Sequence, residues 1–433
     1  MQAVFAHCGN LHVLELPPGT APRDLVAEYL RSGLVEFAEP DGRIRLSATV
    51  PNDPSFLNGT LWALHNTGQG QGLAGADIDA PEAWDTLTSA AAVVVAVVDT
   101  GLRSTHEDLA ANLWTNPADG THGFNALDGS HQPADAHGHG TRVAGVLGAV
   151  GNNGKGVAGV AWQAQIMACR FVDASGEGAV SDAIACLEFA RTNGARIVNA
   201  SWGTYEFSAA LSNALFAARQ ADLLVVAAAG NDALDLDATP QYPAALLLDH
   251  IVSVAATTRR DELYPLSNTG AASVDLAAPG ESIFTTDAVA DDAYAFEEGT
   301  SFAAAQVTGA CALLRARFPA ENARQIIRRL LAGTDPLPAL AGVCVSGGRL
   351  NLRRALDADP ASGPRLALVR PGGDAPLELR LTGEPDLICV IEAADDIGEW
   401  TAVSTNTVPA GGTLVTPMPP VLPHRFFRAR CVP

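Results

Sequence analysis

Three side chains in this sequence stand where a polar group is costly unless it is used. Asp99 closes the run Ala91-Ala92-Val93-Val94-Val95-Ala96-Val97-Val98. An acid at the mouth of an apolar strand is partly desolvated and needs a partner. His139 lies in Asp135-Ala136-His137-Gly138-His139-Gly140-Thr141-Arg142-Val143-Ala144-Gly145. There it opens a small-residue helix between two glycines, and an imidazole can accept a proton near neutral pH. Ser301 lies in Gly299-Thr300-Ser301-Phe302-Ala303-Ala304-Ala305-Gln306-Val307-Thr308-Gly309-Ala310, at the head of an Ala-rich helix. The first N–H groups of such a helix point toward negative charge. Taken singly, each has a plainer reading: a turn or cap acid, half of a His137-x-His139 metal pair, an N-cap serine. Taken together they supply a nucleophile, a base and an orienting acid, in the chain order Asp, His, Ser.

Elements that hold three such groups together must converge at one edge. Short apolar runs at Val93–Val98, Gln165–Phe171, Ala195–Ala200, Leu223–Ala228 and Ile251–Ala255 read as strands. Helical patterns at Gly140–Ala149, Ser181–Thr192 and Ala209–Gln220 lie between them. Near-continuous apolar strands alternating with helices predict an α/β fold, a parallel sheet with helices on both faces. Active groups in such folds sit at the carboxyl ends of the strands.

The flanks differ. Residues 1–50 predict a small α+β unit: a strand at Leu11–Leu16, a helix from Pro22 to Arg31 capped by Thr20 and stopped by Gly33, and a second strand at Leu34–Pro40. Ser47–Pro54 reads as a linker. Residues 364–433 lose helical periodicity and predict a small all-β module, with strands at Leu377–Leu381, Ile388–Glu392, Thr401–Ser404 and Arg425–Arg430. The expected domains are therefore 1–50, 51–357 and 364–433.

Composition excludes several function classes. The 433 residues are 48% hydrophobic and 17% charged, enough apolar material for a large core. The net charge of -21 disfavours nucleic acid and anionic membrane surfaces as partners. Most of that charge falls between residues 51 and 363. The single lysine, Lys155, is the one candidate for Schiff-base chemistry. No apolar run is long enough to span a bilayer, and Met1–Asn10 lacks the pattern of a signal peptide. Seven cysteines show no CxxC spacing. Most read as small buried apolar residues, while Cys389 and Cys431 bracket the C-terminal segment and could bridge it.

The motifs carry a resemblance. Val97-Val98-Asp99-Thr100-Gly101 with His106-Glu107-Asp108-Leu109, then Gly138-His139-Gly140-Thr141-Arg142-Val143-Ala144-Gly145, then Gly299-Thr300-Ser301 with Val307-x-Gly309, resemble the three signature motifs of the subtilases, the subtilisin-like serine proteases. Asn52-Asp53-Pro54 and Leu61-Trp62-x-Leu64-x-Asn66-Thr67-Gly68-Gln69 are similar to the start of many mature subtilase domains. The resemblance implies that Ser301 attacks a peptide carbonyl, that His139 relays the proton and that Asp99 holds the imidazole. It implies that Asn231, in Ala227-Ala228-Ala229-Gly230-Asn231, donates to the oxyanion. It makes Ser201-Trp202-Gly203 a substrate-binding edge, with Ala228, Ala229 and Gly230 as the other wall of the first side-chain pocket. Those small residues suggest room for a large apolar side chain.

Further implications concern cofactor, processing and location. The loop Gly151-Asn152-Asn153-Gly154-Lys155-Gly156-Val157 with Asp108 resembles a structural calcium site, for which Asp108, Asn152, Asn153 and Val157 are the expected ligands. Lys155 inside the loop argues against a tight site. Residues 1–50 resemble the family's inhibitory propeptide, which implies an autoprocessed zymogen cut between about Leu46 and Pro54, with the propeptide as intramolecular inhibitor. The implied protein is a secreted, extracellular endopeptidase acting on proteins or peptides, its signal peptide already removed or unrecorded. The C-terminal module resembles β-sandwich appendages of secreted bacterial proteins. The sequence departs from the family at Phe302, Ala305 and Gln306, where Met, Pro and His are usual, and at Arg142, where His is common. These departures keep a second reading in view, a non-enzymatic binding protein on the same scaffold. A lipase or esterase is disfavoured by the order of the triad and by the lack of GxSxG at Ser301.

Overall fold

In a computed structural model, the structure describes residues 3–5, 11–13, 22–38, 49–358, 365–369, 378–382, 388–394, 400–407, 413–417 and 426–432. The chain divides into two compact units, Met1–Ala48 and Thr49–Pro433.

In the first unit Ala3–Phe5 pairs antiparallel with Leu11–Val13, and the helix spans Pro22–Ser32. Gly33 ends the helix at φ +67°, the left-handed conformation glycine adopts without a Cβ penalty. The strand expected at Leu34–Pro40 does not form: 34–37 is exposed turn and coil. The side chains at Leu34 and Phe37 are exposed, and alternation alone does not hold a strand whose apolar side chains stay in water. Residues 14–16, 39–40 and Thr20 of the expected elements lie outside the described residues.

The second unit is organised by a nine-stranded sheet. Its order is Asp335–Pro336, Gly348–Arg349, Leu276–Pro279, Ile251–Thr257, Leu224–Ala228, Ile197–Ala200, Ser89–Asp99, Gln163–Arg170 and Gly123–Asn125. Every pairing is parallel except the first. The chain enters at the Ser89–Asp99 strand, fills one side, then crosses to the other. The carboxyl end of Ser89–Asp99 is thus where the winding direction reverses, the place where open α/β sheets build their sites.

The apolar runs are continuous because both faces are covered. Val95 and Val97 face one core layer, Ala96 and Val98 the other. Each fully buried aliphatic side chain of this kind contributes about 1.5–3 kcal/mol. The Thr300–Arg317 helix is buried from Thr300 to Arg315. Its small residues permit that depth: a Cβ at Gly309 would stand 2.7 Å from the Leu147 carbonyl oxygen. The helices that cover the sheet include His139–Gly148, Val180–Thr192 and Ala209–Gln220.

Ser47–Pro54 is not a free linker where it is described. Pro51 and Asp53 are buried, Thr49 N–H donates to Asp85 at 2.6 Å, and Pro54 begins a short helix, Pro54–Leu57. Cys169, Cys186, Cys311 and Cys344 are buried and free.

The C-terminal strands form two three-stranded antiparallel sheets, one of Arg365–Val369, Glu378–Thr382 and Thr413–Pro417, the other of Thr401–Thr407, Ile388–Ala394 and Phe426–Val432. Leu381 of one sheet and Cys389 of the other share a small apolar cluster. Cys389 is disulfide-bonded and stands opposite Cys431 in the strand register. Among the described residues no helix is long and apolar enough to cross a membrane.

Candidate active site

Asp99 ends its strand with its carboxylate almost wholly buried. His139 Nδ1 donates to both carboxylate oxygens, at 2.8 and 2.9 Å, and Thr100 N–H donates to Oδ1 at 2.7 Å. Gly140 explains the approach: a Cβ there would lie 2.3 Å from the Gly101 carbonyl oxygen and 3.2 Å from Asp99 Cβ. The glycine after His139 therefore lets the helix start dock against the strand end.

Asp135 holds that helix start. It accepts from the N–H groups of His137, Gly138 and Thr141 and from the hydroxyls of Thr100 and Thr141. Burial pushes its carboxyl up, but these donors outweigh it and keep the group below the ordinary carboxylate range. Sequence reading did not single out Asp135; its signal was an acid four residues before the helix-opening histidine.

His139 feels two opposing forces. Burial pushes the imidazole toward neutrality, but the Asp99 charge and hydrogen bond, helped by Asp135 and Glu297, hold its pKa above the ordinary value. Phe302 packs edge-on against the ring at 5.8 Å between centroids. This places the start of the Ser301 helix beside the imidazole. His137 lies 6.4 Å from His139 between ring centroids, and His139 Nδ1 is committed to Asp99.

Ser301 occupies the first turn of the Thr300–Arg317 helix. Its hydroxyl donates to the Ser201 carbonyl at 3.4 Å, and the Ser201 hydroxyl donates back to the Ser301 carbonyl at 3.0 Å. The hydroxyl is thus directed at Ser201 rather than at His139. Nucleophile–base contacts are often long before substrate binds.

Asn231 is oriented by a residue not singled out in the sequence. Its Oδ1 accepts from Thr300 N–H at 2.8 Å and from the Thr300 hydroxyl at 3.1 Å. The Thr300 hydroxyl in turn accepts from Gly230 N–H at 3.0 Å. With Oδ1 pinned, Nδ2 is the free end of the amide. Gly299 has φ +121°, and a Cβ there would lie 3.0 Å from Asn231 Oδ1.

The segments expected as the two walls are each anchored by a side-chain hydrogen bond. Trp202 Nε1–H donates to the Val98 carbonyl at 2.9 Å, anchoring Ser201–Gly203 to the central strand. Asn268 Nδ2–H donates to the Ala229 carbonyl at 2.9 Å, steadying Ala228–Gly230. Between the walls lies Gln241, which the sequence reading did not single out. The departures from the family pattern are absorbed by packing: Gln306 Nε2–H donates to the Pro279 carbonyl at 2.7 Å, and Arg142 pairs with Asp287 and Glu297.

The Asn-Gly loop gathers Asp108, Asn152, Asn153 and Val157 and adds Asp53. Asn152 and Val157 serve as N–H donors to carboxylates, Asn152 to Asp53 at 2.6 Å and Val157 to Asp108 at 2.9 Å. Asn153 Nδ2–H and the Tyr294 hydroxyl also donate to Asp108, each at 2.8 Å. Burial pushes the Asp53 carboxyl up, and the Asp108 charge pushes it further, against the two loop N–H donors. Lys155 pairs with Glu107 at 3.1 Å. Two fully buried carboxylates that repel each other suit a hard divalent cation. Among the described residues no group of three or more His, Cys, Asp or Glu side chains is assembled for a metal.

Comparison with known proteins identifies the family. Residues 90–350 match the Subtilase family, Peptidase_S8. The chain is 32% identical over 323 residues to a thermophilic serine proteinase of Bacillus sp. (strain AK1), covering 75% of this chain and 73% of the relative. It is 32% identical over 307 residues to thermitase of Thermoactinomyces vulgaris, covering 71% of this chain and 99% of the relative. Among solved structures, a protease of Pseudoalteromonas arctica PAMC 21717 superposes with a TM-score of 0.62 at 29% identity, covering 71% of this chain and 99% of that one.

Proposed function

Because the chain belongs to the subtilase family and is a subtilisin-like serine protease, we propose that it cleaves internal peptide bonds through Asp99, His139 and Ser301. The observation that carries the assignment is the bond from His139 Nδ1 to both oxygens of Asp99. That bond fixes the tautomer and leaves Nε2 as the proton acceptor. The Ser301 oxygen bonds to the scissile carbonyl carbon as its proton passes to His139 Nε2. The oxyanion takes hydrogen bonds from Ser301 N–H and Asn231 Nδ2–H. The intermediate collapses as the C–N bond breaks, and His139 gives its proton to the leaving amine. Water then attacks the acyl-enzyme, its proton passing to His139 and on to Ser301 as the acid departs.

Wild-type protein should turn over peptides and lose that activity on labelling of Ser301 by a serine-directed phosphonate. Asn231→Ala removes one oxyanion donor and should lower kcat about 10²–10³-fold with little change in KM, the size of effect known from subtilisin. A wild type that is inert to both peptide and phosphonate overturns the reading.

Three finer assignments belong to the same proposal. Residues 1–50 act as an inhibitory propeptide, 51–357 as the catalytic domain and 364–433 as an appended β module. The protein is secreted; one relative, 34% identical over 250 residues, is named minor extracellular protease Epr, from Bacillus subtilis. A structural calcium ion would be held by the Asp53 and Asp108 carboxylates and would supply charge compensation where the two buried groups repel. A chelator should then lower the Tm by about 5 °C or more. Asp108→Asn should abolish the response, and an unchanged wild-type Tm in chelator removes calcium from the account.

A further inference from the structure

Behind Ser301 lies a run of buried polar side chains that the proposed chemistry does not use. The Ser201 hydroxyl, which donates to the Ser301 carbonyl, itself accepts from Asn199 Nδ2–H at 2.9 Å. Asn199 Oδ1 in turn accepts from the Thr308 hydroxyl at 2.7 Å. Thr308 belongs to the same helix as Ser301. It lies about two turns (roughly 10 Å) further along and on the same face. The bonds therefore leave the body of the helix, cross to the Ile197–Ala200 strand at Asn199, and return to the helix's first turn through Ser201.

Asn199 and Thr308 are 0% exposed, and none of the four side chains has a buried polar atom without a partner. With Nδ2 committed to Ser201, Oδ1 is the amide atom that faces the helix. A helical threonine commonly returns its proton to the carbonyl four residues back. That carbonyl, of Ala304, lies 2.9 Å from the Thr308 hydroxyl, but Asn199 Oδ1 is the nearer acceptor.

At rest the Ser301 hydroxyl is held by the Ser201 carbonyl. To react it must leave that carbonyl and turn to His139 Nε2. The Ser201 hydroxyl then remains on the Ser301 carbonyl at 3.0 Å and steadies the first turn. Resting on the endopeptidase reading, we propose that Thr308 is a positioning residue for the nucleophile: acting through Asn199 and Ser201, its hydroxyl holds the Ser301 backbone against the substrate-binding edge. Without that hydroxyl, Asn199 Oδ1 is buried with no donor. The hydroxyl proton already beside the amide is that of Ser201. Turning the amide to take it strips the Ser301 carbonyl of its donor. Small displacements of a reacting oxygen cost rate steeply, so the loss falls on kcat. KM should hold, because a substrate strand bonds to backbone groups of the edge that the change leaves in place.

The test compares wild type, Thr308→Val, Thr308→Ser, Ser201→Ala and the Thr308→Val/Ser201→Ala double variant on one quenched peptide. Titration with a small fluorophosphonate gives the folded, reactive fraction of each, and rates are expressed per labelled site. Thr308→Val should lower kcat at least about tenfold with KM within about twofold of wild type. Thr308→Ser restores the hydroxyl and should recover most of that loss. In the Ser201→Ala background, Thr308→Val should cost less than about twofold more, because the bond it feeds is already gone. If Thr308→Val yields no labelled protein, Thr308→Ala takes its place, removing the hydroxyl without setting a methyl against Asn199. The proposal is overturned if kcat stays within about twofold of wild type, if Thr308→Ser is as slow as Thr308→Val, if the loss appears in KM alone, or if the two single losses multiply in the double variant. A wild type that neither labels nor cleaves overturns the endopeptidase reading instead, and this one with it.

Discussion

Ser301→Ala should abolish peptidase activity, with kcat falling about 10⁶-fold, the loss seen when the subtilisin serine is removed. The variant lacks the oxygen that bonds to the carbonyl carbon, and no neighbouring group replaces it. What remains is binding and the oxyanion donors, worth about 10³–10⁴ over water in such sites. The fold should tolerate the change. The Ser301 hydroxyl makes only a 3.4 Å bond to Ser201, and alanine suits the first turn of a helix that continues Ala303-Ala304-Ala305. The same variant tests processing. Wild type should lose its N-terminal segment, with the cut between about Leu46 and Pro54. Thr49 and Asn52 are already bonded into the second unit, to Asp85 and Asn152, which favours a cut before Thr49. Mass spectrometry should find the variant whole; equal trimming of both proteins in a protease-free host refutes self-cleavage.

Asp99→Asn should lower kcat about 10⁴-fold at neutral pH while leaving the backbone in place. The asparagine oxygen can keep the Thr100 N–H bond, but its amide no longer enforces a proton on His139 Nδ1. The pH profile supplies a second readout. In the wild type, Asp99 more than offsets burial, so the His139 pKa lies above its ordinary value of about 6.5. The base must be neutral to act, so kcat/KM should rise with pH through a midpoint above that value. In Asp99→Asn the attraction is gone and burial remains, so the midpoint should move to lower pH. An acid limb that stays where it was in the wild type would show that Asp99 does not govern the base.

Much of this site was legible in the sequence because its signals are local. Asp99 announces itself by ending an apolar run, His139 by its flanking glycines, and Ser301 by opening an Ala-rich helix. The Ala209–Gln220 helix lies where its periodicity put it. Alternation misled at Leu34–Pro40, where the described residues, 34–38, form no strand. It misled in the other direction at Ser47–Pro54, where Pro and Asn suggested a linker but buried Asp53 ties the segment to the Asn152 loop.

By itself, the sequence determined the sheet-and-helix alternation, the order of the proposed acid, base and nucleophile, and the family. Each is written in contiguous residues, where strand and helix periodicity and turn chemistry act over short spans. The tertiary structure alone decided the supporting contacts. Thr300 pins Asn231 from 69 residues away, Asp53 meets a loop 99 residues on, and the Thr204–Tyr242 bridge places Gln241 between two glycines of separate strand ends. Such contacts arise when a parallel sheet brings distant strand ends to one edge, and local sequence carries no record of which loops meet there.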